Sequence, residues 1–161
     1  VGSEMCIRDR LFLILENLQD PGNLGTMIRT GEGAGITGVI MNQQTVDIFN
    51  PKTIRATMGS IFRVPFVYVP DLAPVLEQMH AKGIYTYAAH LKGQEYYDSF
   101  SFREPTAFLI GNEGNGLSKE ISDQAGQYLK IPMEGRVESL NASIAAALLM
   151  YEAHRQRSAR L

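Results

Sequence analysis

The sequence has too little cysteine for a disulfide framework or a cysteine-built metal site. Cys6 is the single cysteine among 161 residues, and both features need several cysteines. The three histidines, His80, His90 and His154, are scattered without the spacing of metal ligands. We therefore expect no metal site.

Long apolar runs are also absent from the sequence. No segment approaches the roughly 20 consecutive apolar residues that a membrane-spanning helix needs, and no basic segment followed by an apolar stretch resembles a secretory leader. We therefore expect a soluble cytoplasmic protein without a membrane partner.

An excess of positive charge is absent as well, because the formal net charge is −2. This balance argues against a domain that holds nucleic acid by bulk electrostatics alone. Positive charge is concentrated near the ends, at Arg8 and Arg10 and then at Arg155, Arg157 and Arg160. The last three arginines are consistent with an RNA-facing patch or with a solvated helix end that the helix dipole favours.

What the chain does contain is an alternation of apolar strands and amphipathic helices. Its length and its 45% hydrophobic content suit one α/β domain with a full core. The run LFLIL at 11–15 is typical of a strand buried on both faces. Further strands are predicted at 38–41, 66–69, 84–89, 106–110 and 128–131, and helices at 24–34, 52–60, 71–82, 118–125 and from 142 onward. This alternation predicts a mostly parallel sheet with helices on both faces.

The first ten residues, VGSEMCIRDR, fit no such pattern. They show neither apolar periodicity nor a capping sequence, and they resemble a translated adapter sequence. We therefore interpret residues 1–10 as an artefactual or disordered segment and predict one domain over residues 11–161.

A first polar loop, NLQDPGNLGTMIRT, follows the strand at 11–15. Asn23 and Arg29 lie six residues apart, which places the arginine in the second turn of a helix that begins near Leu24. Two interpretations stay open. Either Asn23 caps the helix and Arg29 is a surface cation, or Arg29 binds a phosphate while Asn23 fixes the turn.

A second polar loop, GNEGNG, follows the strand at 106–110. Its glycines read G-x-x-G-x-G, which fits neither the dinucleotide fingerprint G-x-G-x-x-G nor a phosphate-binding loop ending in G-K-[ST]. Glu113 would repel a phosphate and points to a ligand with hydroxyl groups, an amino group or a positive centre. The alternative is a tight turn in which glycines supply the positive φ and Glu113 lies at the edge.

The third stretch, IPMEGRVESLNASIAAALLMY at 131–151, begins as a strand end at Ile131 and becomes a helix rich in small residues. It predicts a ligand pocket beside a tightly packed helix. The alternative is that Ser139 or Asn141 merely caps the helix and the alanines pack. Because all three loops follow strands of one sheet at its carboxyl edge, we expect them to form one site.

The three motifs NLQDPGNLGTMIRTGEGAG, FLIGNEGNGLS and IPMEGRVESLNASIAAALLMYEA resemble those of the SpoU family, also called the TrmH family, of the SPOUT superfamily. Its members are S-adenosylmethionine-dependent RNA ribose 2′-O-methyltransferases, and the resemblance covers nearly all of residues 11–161. It implies an α/β fold with a C-terminal trefoil knot, S-adenosylmethionine bound in that knot, an RNA substrate, and a homodimer joined across the knot helices.

The resemblance also implies roles for individual residues. No histidine or lysine in the motifs can accept the proton of a ribose hydroxyl, so we expect Arg29 to grip an RNA phosphate and promote proton loss. The residues that match cofactor-binding positions are Gly111, Ile131, Leu140 and Asn141, and those that match catalytic positions are Asn23, Arg29, Glu113, Ser139 and Asn141.

The residues of the second and third motifs resemble those of family members that act on ribosomal RNA more than those of the smallest tRNA members. This resemblance favours a ribose in 23S ribosomal RNA. The alternatives are a tRNA ribose 2′-O-methyltransferase and a non-catalytic knotted RNA-binding module, although the five matching catalytic positions argue against the latter. Family members commonly carry an upstream RNA-binding domain, and the mild acidity together with the unusual residues 1–10 favours the interpretation that such a domain is missing here.

Overall fold

Six parallel strands form one sheet in the computed structural model, which describes residues 10–158. The strand order is β3-β2-β1-β5-β4-β6, and every pairing between neighbours is parallel. This confirms the predicted sheet. The strands are β1 (Leu11–Leu15), β2 (Gly38–Asn42), β3 (Phe66–Val69), β4 (Tyr85–Ala89), β5 (Thr106–Ile110) and β6 (Gln127–Leu129). Except for Arg10, the predicted N-terminal segment lies outside the described residues, as does Arg160.

Helices cover both faces of the sheet, as predicted. They are α1 (Pro21–Ala34), α2 (Pro51–Thr57), α3 (Ala73–Ala81), α4 (Lys119–Gln124) and α5 (Ala142–Arg157). Side chains of one strand alternate between the faces. Leu13 therefore packs in the core cluster with α1 and α5, whereas Ile14 packs in the cluster with α3 and α4.

The two helices α1 and α2 run side by side in the same direction, in close contact. A Cβ atom on Gly25 would lie 2.5 Å from both the Cβ of Ala56 and the carbonyl oxygen of Thr53. The Thr53 hydroxyl also donates to the carbonyl of Pro21 at 3.1 Å. Contacts early in α1 are made with residues early in α2, and later contacts with later residues. The first turns of the two helices therefore lie at the same edge of the sheet.

Several helix boundaries differ from the predicted ones. The predicted helix at 52–60 ends at Thr57 because Met58 adopts a left-handed conformation with φ of 49°, and a short 3-10 turn follows at Ser60–Phe62. The predicted helix at 71–82 spans only Ala73–Ala81. At the start of α1 the helix begins earlier than predicted, because Pro21 occupies its first turn.

After β6 at the edge of the sheet, the chain returns to the centre and α5 packs against α1. The end of α5 is bonded to the connector that precedes β5. Gln156 accepts from the N–H of Phe102 at 2.6 Å and donates to the carbonyl of Phe100 at 2.9 Å. Arg157 donates to the carbonyl of Phe102 at 2.8 Å. Arg157 is therefore half-buried and bonded to the protein, and it is not a solvated helix end. The trefoil knot stays a prediction.

Candidate active site

The loops after β1 and β5 are joined through the carboxylate of Glu113. This carboxylate accepts hydrogen bonds from the backbone N–H of Gln19 at 3.1 Å and of Asp20 at 2.9 Å. It also accepts from the side-chain amide of Asn23 at 3.4 Å. Because β1 and β5 are neighbours in the sheet, their carboxyl ends bring these distant loops together.

The third loop joins the same network through Asn141. Its side-chain amide donates to the side-chain oxygen of Asn23 at 3.0 Å. Its own oxygen accepts from the N–H of Ser143 at 2.8 Å and of Ile144 at 3.3 Å, which makes it the N-cap of α5. Asn141 therefore caps α5, as one interpretation predicted, and it also contacts Asn23. Its part in a site stays a prediction.

The hydrogen bonds to Glu113 decide its charge. Partial burial by itself would raise the pKa of this carboxyl, but the N–H groups of Asp20 and Gln19 and the amide of Asn23 stabilise the ionised form, and the pKa lies below its ordinary value. An ionised carboxylate can only accept hydrogen bonds. Glu113 therefore ties the loops together as a charged acceptor.

A second layer of asparagines supports these loops, and the sequence analysis did not identify it. Asn112 donates to the carbonyl of Asn17 at 2.8 Å and accepts from the N–H of Gly114 at 2.9 Å. Asn17 has a φ of 56°, and its side chain accepts from Asn42 at 2.8 Å. Asparagine tolerates this left-handed conformation better than most residues, which is the one sequence signal that marks Asn17.

Glu16 is a buried acid that joins the end of β1 to the start of α4, and it belongs to none of the predicted site residues. Its side chain is almost inaccessible, and its carboxylate accepts from the N–H of Ser118 at 2.6 Å and from the hydroxyl of Ser118 at 2.7 Å. The same hydroxyl caps α4 by accepting from Ile121. The signal available in the sequence is an acid directly after a fully apolar run, where a buried charge requires partners.

The glycine-rich loop closes on itself at Gly111. A Cβ atom there would lie 2.2 Å from the carbonyl carbon of Gly116 and from the nitrogen of Leu117. Asn112 and Gly116 exchange backbone hydrogen bonds at 3.1 and 2.8 Å, and Gly116 has a φ of 69°. The loop is therefore a tight turn, in which Gly116 has the positive φ and Gly111 allows a close backbone approach.

Two details of the sequence interpretation are wrong. Asp20, and not Asn23, is the N-cap of α1, because its side chain accepts from the N–H of Asn23 at 2.9 Å. Asn23 is thereby free to contact the other two loops. Ile131 is not a strand end, because β6 stops at Leu129. Ile131 instead lies half-buried against the main core cluster.

The remaining predicted residues lie around this network without bonds to it. Arg29 is exposed on α1, one turn after Gly25, and its side chain forms no hydrogen bond or ion pair within residues 10–158. Ser139 is exposed and Leu140 is half-buried in the irregular segment before α5. The backbone polar groups of Ile131, Ser139 and Leu140 have no hydrogen-bond partner among the described residues. These groups are available to a ligand.

Within residues 10–158 no cluster of histidine, cysteine, aspartate and glutamate has the proximity that a metal ion requires. In the same part of the chain, every helix is too short or too polar to cross a bilayer.

The sequence profile of the SpoU rRNA Methylase family matches residues 10–151. The 23S rRNA (guanosine(2553)-2′-O)-methyltransferase RlmP of Bacillus subtilis is 38% identical over 142 residues, which cover 88% of this chain and 57% of RlmP. The chain spans between 54% and 59% of the length of curated relatives that it matches.

Solved structures show the same fold. The SpoU methyltransferase AviRb of Streptomyces viridochromogenes, in complex with the cofactor AdoMet, matches with a TM-score of 0.88 and 34% identity, over 99% of this chain and 64% of AviRb. A structure described as giving insights into "the 2-OH methylation of C/U34 on tRNA" matches with a TM-score of 0.85 and 30% identity, over 94% of this chain and 98% of that one.

Proposed function

Since the chain belongs to the SpoU rRNA methylase family, we propose that it transfers a methyl group from S-adenosylmethionine to a ribose 2′-hydroxyl of RNA. The observation that carries this proposal is the hydrogen-bond chain from Glu113 through Asn23 to Asn141. It assembles one polar residue from each motif at the carboxyl edge of the sheet, where open α/β sheets bind ligands. Arg29 lies on the same helix as Asn23 and is unpaired within the described residues.

The cofactor site in this proposal comprises Gly111, Ile131, Leu140 and Asn141. Ile131 and Leu140 are half-buried, and their backbone groups lack partners in the described chain, which suits a ligand with both apolar surface and hydrogen-bonding edges. When bound, S-adenosylmethionine supplies a methyl group activated by its positive sulfonium. The lack of a side chain at Gly111 lets the loop that would border the cofactor close on the backbone of Gly116 and Leu117.

The protein's part in this reaction is to position the nucleophile and to stabilise charge. Methyl transfer needs the ribose oxygen in line with the methyl group, and positioning can lower such a barrier by several kcal/mol, about 7–11 for well-oriented groups. Arg29 offers a planar fork of donors that fits an RNA phosphate. Its charge favours loss of the hydroxyl proton, which passes to a phosphate oxygen or to water. Ser139, exposed and unbonded in the described chain, adds a second group for the RNA.

The active unit in this proposal is a homodimer joined along α5. Ile144, Leu148 and Tyr151 are 50%, 36% and 46% exposed, and together with Tyr97 and Ala147 they line a cleft of about 400 Å³. An apolar helix face of this kind is suited to a second copy of the same face.

For the substrate we favour ribosomal RNA, because RlmP is a 23S rRNA enzyme. A tRNA is the second candidate. The match to the structure concerned with methylation of C/U34 on tRNA covers 98% of that protein, more than the match to RlmP covers of RlmP. Either RNA implies action in the cytoplasm, which is part of this proposal.

Incubation with methyl-labelled S-adenosylmethionine and total bacterial RNA, followed by nucleoside analysis, tests the proposal. Label in 2′-O-methylated nucleosides is the expected result. Label on a base would overturn the reaction assignment. Binding of S-adenosylmethionine in a calorimeter without any transfer to ribosomal RNA or tRNA would instead indicate a non-catalytic module.

A further inference from the structure

The outer face of α2 and of the 3-10 turn after it exposes apolar side chains. Phe62 is 86% exposed, Met58 68% and Ile54 39%. Ile54 lies on α2, Met58 at the residue that ends it, and Phe62 in the 3-10 turn that follows. Arg55 is exposed beside them. We call Ile54, Arg55, Met58 and Phe62 the α2 stripe.

The charged residues of the segment that carries the α2 stripe are all cations. Residues 48–69 contain Lys52, Arg55 and Arg63 and no acidic residue, in a chain of net charge −2. Arg63 is paired with Glu32 at 2.6 Å. Lys52 and Arg55 are exposed, and their side chains have no hydrogen-bond or ion-pair partner within residues 10–158. The segment therefore carries two cations without a partner among the described residues, beside its exposed apolar side chains.

The helix that carries most of the α2 stripe begins beside the candidate active site. The first turn of α2 is bonded to the first turn of α1 through Thr53 and Pro21 at 3.1 Å, and α1 begins beside the Glu113 network. The stripe thus starts at the edge of the sheet that holds the site and leads away from it. Arg29 lies one turn beyond Gly25, the residue of α1 that packs against Ala56.

We propose that the α2 stripe binds an unpaired segment of the RNA substrate, with Arg55 on a phosphate and Phe62 stacked on a base; this rests on the proposed function. Aromatic side chains that stack bases, interleaved with cations that bind phosphates, are the chemistry of single-stranded RNA recognition. A second copy of the chain fits less well, because a symmetric contact would place Lys52 and Arg55 against their own like charges.

Fluorescence anisotropy with a labelled, unstructured oligoribonucleotide of about 20 nucleotides tests this proposal. We expect Phe62→Ala to weaken binding about tenfold and Phe62→Tyr to restore it. We expect Arg55→Ala to weaken binding and to reduce the slope of log K against log salt by about 0.7, the loss of one single-strand phosphate contact. Tyr85→Ala, 57% exposed at the start of β4, and Lys82→Ala serve as matched controls and leave binding unchanged.

Unchanged RNA affinity in both Phe62→Ala and Arg55→Ala would overturn the proposal, as would undetectable binding by the unaltered chain. Loss of self-association in Phe62→Ala with intact RNA affinity would assign the stripe to a second copy and also overturn it. RNA binding that depends on the stripe, without methyl transfer by the unaltered chain, would reject the proposed reaction and leave the stripe assignment standing.

Discussion

Arg29 is a permanently charged side chain on α1, the helix that carries Asn23, and it has no partner in the described chain. If it binds the phosphate beside the target ribose, Arg29→Ala removes a charge that matters most in the transition state. We expect the single-turnover rate of methyl transfer to fall by about 10²–10³-fold, while the Kd for S-adenosylmethionine stays unchanged. Arg29→Lys keeps the charge but loses the planar fork of donors. Its rate should lie between those of Arg29→Ala and the unaltered chain.

Arg103→Ala is the matched control for Arg29, because Arg103 is exposed on the connector before β5, at the opposite edge of the sheet. It should retain the rate of the unaltered chain. A rate for Arg29→Ala within about threefold of that value would remove Arg29 from the chemistry.

The lowered pKa of Glu113 predicts that its contribution to stability depends on pH. Its pKa in the folded protein lies below the ordinary value, so its contribution is complete above the ordinary pKa of about 4.3 and is lost as the pH falls through the folded value. Glu113→Gln should therefore have a lower urea midpoint than the unaltered chain at pH 7. This difference should hold above about pH 5 and shrink as the pH falls below the ordinary pKa of about 4.3. A difference that stays constant or grows in acid would show that Glu113 does not tie the loops as an ionised acceptor.

At the scale of an element, the glycine loop after β5 offers a matched pair of substitutions. A Cβ on Gly111 would meet backbone atoms at 2.2 Å, whereas a Cβ on Gly114 meets only the side-chain oxygen of Asn112 at an ordinary 3.5 Å. We expect Gly111→Ala to open the turn and to weaken S-adenosylmethionine binding at least about tenfold by calorimetry. Gly114→Ala should bind normally. Equal affinities in the two variants would separate the loop from the cofactor site.

Helix caps give a second comparison at this scale. Asn141 caps α5 and also contacts Asn23, whereas Asn50 caps α2 by accepting from Lys52. Replacing either asparagine by alanine should lower the free energy of unfolding by about 1 kcal/mol. Asn141→Ala alone should also lower the methyl-transfer rate. If both variants lose stability and both keep the rate, Asn141 is a cap and nothing more.

The elements themselves were largely predictable, and the reason is physical. Buried parallel strands appear as continuous apolar runs, so the predicted bounds of β1 and β5 match the structure. The bounds of β3, a half-exposed edge strand, match as well. The predicted end of α2 at residue 60 is wrong, because the left-handed backbone of Met58 stops the helix directly before Gly59. Gly59 is the signal that the sequence offers for this stop. The cap of α1 was assigned to Asn23 because the helix was predicted to begin three residues too late.

At the scale of the whole molecule, the strand order creates the site. Glu113 and Asn23 are 90 residues apart in sequence and meet because β1 pairs with β5. Sequence patterns give the strands but not their order, so they predicted that the three loops share one edge and could not predict which side chains touch. The supporting asparagines at 17, 42 and 112 were missed for the same reason.

The proposed dimer is also a property of the whole molecule. Leu148→Glu places a charge on the apolar face of α5, and burying an unpaired charge is costly. We expect the unaltered chain to sediment as a dimer at micromolar concentration and Leu148→Glu as a monomer. Val67→Glu changes a residue that is 48% exposed on β3 and should leave the dimer intact. A monomeric unaltered chain would contradict the proposal.

The central claim is that the chain methylates the 2′ oxygen of a ribose, and alkaline hydrolysis of the labelled product tests it most directly. Alkali cleaves RNA by attack of the 2′ oxygen on the adjacent phosphate, so a methylated 2′ oxygen protects its own linkage. After transfer from labelled S-adenosylmethionine, we predict that the label appears in alkali-resistant dinucleotides and is strongly reduced with Arg29→Ala. Label recovered in mononucleotides would place the methyl group on a base and contradict the account.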